Sequence, residues 1–441
     1  MERHRPLVES LLIFAFVVSF FGLFSPPNQY FEQSQVVRYE ESNAFSQVTH
    51  IALLVFLVAA TIVQGRAFLR AALLAWPVFG LVGLAFLSAM WSSAPWVVVR
   101  HAGTLALSTM FACYVYARYS MPHLIRMLTL AFCLMAVCSF AIMIVEPGLG
   151  HGPVIGDPTA WRGAFITKNI LGWSAALGTI VAVYALVQHH GWRPVAAATV
   201  VMSFALVVLS DSRGALLLGL FAAYVAVLLA LLRSRTDFGL GASLFIAVLG
   251  FGLCFIIYLF SKEILLLLNR TPHLTGRDLI WQNVILSITK RPWLGYGYGA
   301  FWRSDSIEAN RIWLAIGWSA PSAHNGWLEL ALNLGGIGVL YTAWLWMTSL
   351  YRAVRLTVVQ DAEYVTFCVL ILAAILQQNM SEATLLQTGA AWLLFVIAFL
   401  HLKHEALARL RGTAAAPWND HASAPTAPWT APIGVQRRGG L

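Results

Sequence analysis

The chain has 441 residues, of which 59% are hydrophobic and 11% charged, and its formal net charge is +9. Soluble domains carry about 25% charged residues, so this composition excludes a soluble globular class and makes lipid the main solvent. The basic excess does not by itself select nucleic acid, because Lys and Arg also set the topology of membrane proteins.

Spanning a bilayer takes about 20 apolar residues in a helix. Runs near that length predict twelve transmembrane helices, at 7–25, 50–64, 70–90, 103–118, 124–145, 169–187, 194–210, 214–232, 239–260, 325–350, 363–380 and 385–402. The first run follows Arg3, His4 and Arg5, and no small-x-small cleavage pattern comes after it. It reads as a retained signal anchor. The 194–232 stretch reads as a helical hairpin interrupted only at Ser210-Asp211-Ser212-Arg213. Five cysteines (Cys113, Cys133, Cys138, Cys254 and Cys368) fall inside apolar runs without metal-ligand spacing and read as small core hydrophobes.

With the N-terminus inside, sixteen of the 28 Lys and Arg fall on the cytoplasmic side: Arg3, Arg5, Arg66, Arg70, Arg118, Arg126, Arg193, Arg233, Arg235, Arg352, Arg355, Lys403, Arg409, Arg411, Arg437 and Arg438. Every internal cytoplasmic connection then holds at least one, so the positive-inside rule predicts both termini in the cytoplasm. Of the twelve outside (Arg38, Arg100, Arg162, Lys168, Arg213, Lys262, Arg270, Arg277, Lys290, Arg291, Arg303 and Arg311), seven lie in 261–324. Arg213 stands at the tip of a tight outer turn, where topology gives it no purpose.

The expected organisation is nine transmembrane helices over 1–260, one large periplasmic loop over 261–324, three more helices over 325–402 and a cytoplasmic tail over 403–441. In the loop, Ile280, Trp281, Val284, Ile285 and Ile288 recur at helical spacing, which predicts an amphipathic helix lying on the membrane. Pro292, Gly295, Gly297 and Gly299 then break the chain into a backbone-exposing turn. From Ala414 the tail is Ala/Pro/Thr-rich and reads as disordered.

Charges near membrane depth usually face a cavity or a partner. Arg100, Arg162, Lys168, Asp211, Arg213, Arg277, His324, Glu329 and Glu382 all fall near the outer interface of this topology, which suggests one polar chamber there. Several motifs around them form a recognisable series. Ser210-Asp211-Ser212-Arg213-Gly214 resembles the serine-arginine turn of the O-antigen ligase and Wzy-type polymerase superfamily. Gly276-Arg277 with Trp281, followed by Arg291-Pro292-Trp293-Leu294-Gly295-Tyr296-Gly297, is similar to that family's long periplasmic loop. His324-Asn325, then Glu329 and Gly335-Gly336-Ile337-Gly338, match its closing motif. Trp161-Arg162-Gly163-Ala164-Phe165 and Thr167-Lys168-Asn169 resemble an upstream element, and Asn379 to Glu382 a late one. The resemblance covers roughly residues 85–400, and the pattern is most similar to exopolysaccharide polymerases of the ExoQ type.

The resemblance implies an all-α, GT-C-like polytopic fold in the bacterial inner membrane. It also implies glycan transfer from undecaprenyl pyrophosphate at the periplasmic face, with no cofactor and no required metal. The residues fit that chemistry. A glycan on a polyprenyl pyrophosphate carries its own leaving group, and arginine offers a permanent charge and a planar fork matched to phosphate oxygens. His324 would deprotonate the acceptor hydroxyl. His324, Arg213 and Arg277 are the expected catalytic residues. Arg162, Lys168, Arg100, Asn325, Glu329, Trp281 and Tyr296 are the expected binding residues for pyrophosphate and glycan, with Glu329 as structural partner of an arginine.

Plainer roles stand beside these. Arg213 would cap a hairpin or anchor to lipid phosphate, Arg277 would be an interfacial anchor, and His324 a histidine bonded to backbone at a helix start. Glu382 and Asp211 would orient or neutralise the arginines. The aromatics Trp281, Trp293, Tyr296, Tyr298, Phe301 and Trp302 would stack on sugars or form the interfacial belt. The outside carries no Asp-x-Asp and no His/Cys ligand cluster. The expected partners are the lipid-linked oligosaccharide, membrane lipids and, as candidates, polysaccharide export or chain-length proteins; nucleic acid is disfavoured. Polymerisation of repeat units is the leading function. Ligation of finished glycan to lipid A core or protein is the alternative within the same chemistry, and a lipid-linked-oligosaccharide flippase is the alternative of another class.

Overall fold

The computed structural model describes residues 7–20, 44–151, 160–165, 167–188, 193–233, 277–358 and 364–411. The expected span at 239–260, the loop residues 261–276, the tail from 412, and Arg3, Arg5, Arg38, His189, His190, Arg235, Lys262, Arg270, Arg437 and Arg438 lie outside them. The described residues form helices and connections without any strand: α1 (Leu7–Phe20), α2 (Ala44–Leu74), α3 (Trp76–Leu87), α4 (Pro95–Arg118), α5 (Met121–Val145), α6 (Lys168–Gln188), α7 (Arg193–Leu209), α8 (Arg213–Arg233), α9 (Arg277–Lys290), α10 (Ile307–Ile316), α11 (Gly326–Val358), α12 (Val365–Gln378) and α13 (Ala390–Leu410). A short helical turn, Pro147–His151, follows α5.

Five stretches are long and apolar enough to cross a bilayer: Pro95–Arg118, Met121–Val145, Lys168–Gln188, Gly326–Thr357 and Ala390–Leu410. A sixth follows if Val48–Ala60 and Gly65–Leu74, bent by 113°, count as one span. Five shorter apolar stretches run 10–17 residues, so among the described residues length and composition give five or six candidate spans; of the twelve expected, 239–260 lies outside the described residues. Punctuation shortens them. α3, for example, starts with Pro77 in its first turn and ends at Ser88.

Small residues set the packing. On α6, a Cβ at Gly172 would come within 2.6 Å of Ser210 Oγ and Ser212 Cβ, and one at Gly178 within 2.8 Å of the Phe132 ring. Glycine therefore lets α6 approach its neighbours closely. α7 and α8 both pack on α6, α7 also on α5, and α8 also on α12, while they touch each other little. The expected hairpin is thus a splayed pair whose arms are held apart by α6. α13 is sandwiched among α4, α11 and α12. At the end of the bundle where α4 finishes, Arg118 holds Glu9 of α1 through two hydrogen bonds of 2.6 and 2.9 Å.

Residues 277–325 form a cap at the opposite end, with its own core of Ile280, Val284, Phe301, Ala309, Ile312 and Ala323. α9 turns Ile280, Trp281, Val284 and Ile288 of its apolar stripe onto α10 and α11, and leaves Leu279, Ile285 and Leu286 exposed. α10 offers Ala309 and Ile312 as the complementary face. The cap is joined to the bundle by backbone. α11 breaks at Gly335 (φ 63°, ψ −164°), which frees main-chain groups that a continuous helix would pair. Residues 292–297 take them: Gly336 N donates to Pro292 O (2.7 Å) and Ile337 N to Trp293 O (3.2 Å). In return, Tyr296 N donates to Leu332 O (2.8 Å) and Gly297 N to Asn333 O (3.0 Å). A Cβ at Gly335 would overlap the Trp293 carbonyl, and one at Gly295 would lie 2.6 Å from Leu332 O. The two glycine motifs of the sequence are two sides of one joint.

Candidate functional site

The Ser210–Ser212 turn is compact because its side chains satisfy its own backbone. Ser210 Oγ donates to Val207 O (2.8 Å) and accepts from Ser212 N (3.3 Å), while Asp211 takes a left-handed conformation (φ 46°). Arg213 is thereby the first residue of α8; its side chain is exposed and has no hydrogen bond or ion pair to the described residues. Lys168, the first residue of α6, lies beside the turn and pairs with Asp211 at 3.4 Å.

A second turn follows α12. Asn379 Oδ1 accepts from Thr384 N (2.9 Å) and Leu385 N (2.8 Å), which curls residues 379–385 and presents Ser381 and Glu382. Glu382 is the hub. Its Oε1 accepts from Arg277 Nη2 (3.0 Å) and Asn169 Nδ2 (3.1 Å), and its Oε2 lies 3.3 Å from His324 Nδ1. Arg277 Nη1 also donates to Ser381 O (2.6 Å). Ser212 Oγ donates to Asn169 Oδ1 (3.5 Å), and a Cβ at Gly214 would lie 3.2 Å from Ser381 Oγ. The starts of α6, α8, α9 and α11 therefore meet at the end of α12. Arg277 and His324 share one carboxylate, and Arg213 begins the helix next to Ser381. When a neutral imidazole faces an ionised carboxylate, which only accepts, its proton sits on Nδ1 and its Nε2 lone pair is free.

His324 is held through its neighbours. Its own φ is 48°, and its ring lies 6.0 Å from that of Trp318. The preceding residue is clamped on both sides: Trp281 Nε1 donates to Ala323 O (2.9 Å), and Ala323 N donates to Glu329 Oε2 (2.8 Å). Asn325 caps α11, its Oδ1 accepting from Trp327 N (3.0 Å) and Leu328 N (3.1 Å), with its Nδ2 3.5 Å from Met380 O.

Three expectations change. Among the described residues Glu329 partners no arginine; buried under the cap, it is surrounded by Trp302 Nε1 (2.9 Å), Ala323 N and Asn333 Nδ2 (3.3 Å). The aromatics mostly build the cap. Tyr298 and Phe301 are buried, and Tyr296 OH donates to Ser287 O (2.8 Å) with the Arg291 guanidinium 5.0 Å from its ring. Burial, then the charge of Glu308, raises the Tyr296 pKa above its ordinary value. Only Trp293 of the six is exposed. Arg162 is 2% exposed; its Nε donates to Leu149 O (2.6 Å) and its N to Gly150 O (2.9 Å). Arg100, on α4 next to His101, makes no hydrogen bond or ion pair with the described residues and is not joined to the hub. Glu382, expected to orient or neutralise an arginine, pairs with Arg277; Asn169 lies within a sequence motif that gives it no role of its own. Among the described residues no three His, Cys, Asp or Glu side chains converge as metal ligands.

Residues 197–343 match the family model described as O-antigen ligase. That segment holds Arg213, Arg277 and His324, while Glu382 lies beyond it. The chain is also 26% identical over 301 residues to the exopolysaccharide production protein ExoQ of Rhizobium meliloti (strain 1021), a match covering 65% of this chain and 67% of that protein. The apolar helical bundle, the matched segment and this relative make the chain similar to membrane proteins of the O-antigen ligase and Wzy-type family.

Proposed function

We propose that the chain is a GT-C-like glycosyltransferase of the bacterial inner membrane. It moves an oligosaccharide from undecaprenyl pyrophosphate onto the next lipid-linked repeat unit at the periplasmic face. The observation that carries this reading is the convergence of Arg277 and His324 on Glu382, next to the start of α8 at Arg213. Arg213 has its guanidinium exposed and uncommitted to described residues, so it meets the diphosphate of the donor. Arg277, already oriented by Ser381 and Glu382, offers its remaining N–H groups to the same anion as negative charge develops on the leaving group. Glu382 holds His324 so that Nε2 takes the proton of the acceptor hydroxyl while that oxygen attacks the anomeric carbon and the C–O bond to the diphosphate breaks. Lys168, positioned by Asp211, adds charge at the rim.

The relative's name, exopolysaccharide production, favours polymerisation; the ligase description of the matched segment favours delivery of finished glycan to another acceptor. Incubating purified protein with the lipid-linked repeat alone separates them, since chain growth without a second acceptor requires polymerase activity. Arg213→Ala, Arg277→Ala and His324→Ala are each expected to abolish product while the protein remains folded in the membrane. Normal transfer by all three would refute the assignment.

A further inference from the structure

At the end of the bundle away from Glu382, two cations meet on one ring. Phe399 and Lys403 lie one turn apart on α13, and Arg352 approaches from α11. The Phe399 ring is fully buried, with the Arg352 guanidinium carbon 5.5 Å and Lys403 Nζ 5.7 Å from its centroid. Lys403 Nζ also lies 5.4 Å from the Trp76 ring and donates to Leu74 O at 2.8 Å. Arg352 Nη1 is buried without a hydrogen-bond partner, and no carboxylate pairs with either cation among the described residues. Arg118, Lys168 and Arg277 each meet an acid, in Glu9, Asp211 and Glu382; among the described residues Arg352 and Lys403 meet none.

Two like charges around one aromatic ring repel, and a guanidinium with buried N–H groups has donors to satisfy. An anion with several oxygens answers both needs, since the arginine fork takes two oxygens and the ammonium a third. The surroundings indicate what carries that anion. Trp76 is 61% exposed and Leu73 63% exposed beside the pair. An exposed tryptophan at a helix end is typical of the headgroup level, and apolar side chains beneath it suit acyl chains. Basic pockets between transmembrane helices bind anionic headgroups on the same grounds. The geometry points to a structural lipid site, in which Arg352 and Lys403 bind the phosphate of an anionic phospholipid whose acyl chains lie along Leu73 and Trp76. Its place, α3, α11 and α13 at the far end of the bundle, keeps it separate from the glycan site.

Native mass spectrometry and thermal melting of the purified full-length protein test this, with phosphatidylglycerol, phosphatidylcholine and inorganic phosphate as probes. Phosphatidylglycerol is expected to remain bound as one tight copy and to raise the melting midpoint, and phosphatidylcholine to do neither. Arg352→Gln with Lys403→Gln is expected to weaken that copy at least tenfold, while Arg352→Lys and Lys403→Arg, which keep the charge, retain it. Each single Gln variant is measured alongside, so misfolding of the double variant leaves the comparison intact. Equal retention of both lipids, or phosphatidylglycerol binding unchanged by the Gln substitutions, would overturn the proposal. Binding of inorganic phosphate through the same residues without preference for phosphatidylglycerol would also overturn it, as that result assigns the pair to a soluble anion.

Discussion

Replacing Glu382 with glutamine separates charge from shape at the hub. The amide oxygen can keep the bonds from Arg277 Nη2 and Asn169 Nδ2 that Oε1 now receives at 3.0 and 3.1 Å. The amide nitrogen then replaces Oε2, 3.3 Å from His324 Nδ1. A donor facing Nδ1 forces that nitrogen to accept, so the ring proton moves to Nε2, the atom meant to receive the acceptor's proton. The base is lost without loss of the imidazole. General-base assistance is worth about 10²–10⁴-fold, and fixing the wrong histidine tautomer costs a rate factor near the top of that range, so Glu382→Gln should slow transfer by roughly 10³-fold. Because the arginines remain, donor binding should change far less than turnover. The assay is single-turnover transfer of a fluorescent lipid-linked repeat unit by purified protein in nanodiscs, with donor affinity measured separately. A Glu382→Gln enzyme that transfers at the wild-type rate would refute the role given to the carboxylate. So would one that loses donor binding in proportion to rate.

Gly335→Ala should lower the melting midpoint by several degrees, because its backbone region costs about 1–3 kcal/mol for a residue with a Cβ and that Cβ would overlap the Trp293 carbonyl. Differential scanning fluorimetry reads the shift, and an unchanged midpoint would deny the joint. Arg162→Ala should destabilise the fold by about 1.5–3 kcal/mol, the worth of a buried charged hydrogen bond such as the one to Leu149 O, whereas Arg213→Ala should leave stability within about 0.5 kcal/mol. Melting and transfer measured on both variants should therefore show opposite patterns. Burial alone would raise the Glu308 pKa, but Lys290, then Ser287 and Arg311, outweigh it and hold the carboxyl below its ordinary value. A depressed folded pKa stabilises the cap above the unfolded carboxylate pKa and loses that contribution as pH falls through the folded value. Hydrogen exchange of α10 should accordingly rise on acidification below the ordinary glutamate range, beyond the intrinsic pH effect, and Glu308→Gln should remove that excess.

The apolar helices and the charges at their borders were legible for the same reason. In a chain this apolar, every charge stands out, so Arg213, Arg277 and His324 announced themselves at the borders of hydrophobic runs. What periodicity cannot show is which helix meets which. Arg277 and Glu382 are 105 positions apart, and only the folded α12 turn reveals that they touch. The hairpin read from 194–232 missed that Gly172 brings α6 against the turn and receives both arms. Glu329 looked like a counterion because it is acidic and close in sequence to His324; its neutral partners became visible only once Trp302 folded over it. The aromatics near Trp293 fitted a sugar platform or an interfacial belt, because sequence records their type and not their depth.

The joint between residues 292–297 and the break at Gly335 consists of main-chain atoms. Side chains that point outward from it, Trp293 and Leu294, are therefore not what keeps the cap attached. A lineage can exchange those outward groups, and with them the chemistry of the exposed rim, while the scaffold beneath stays in register.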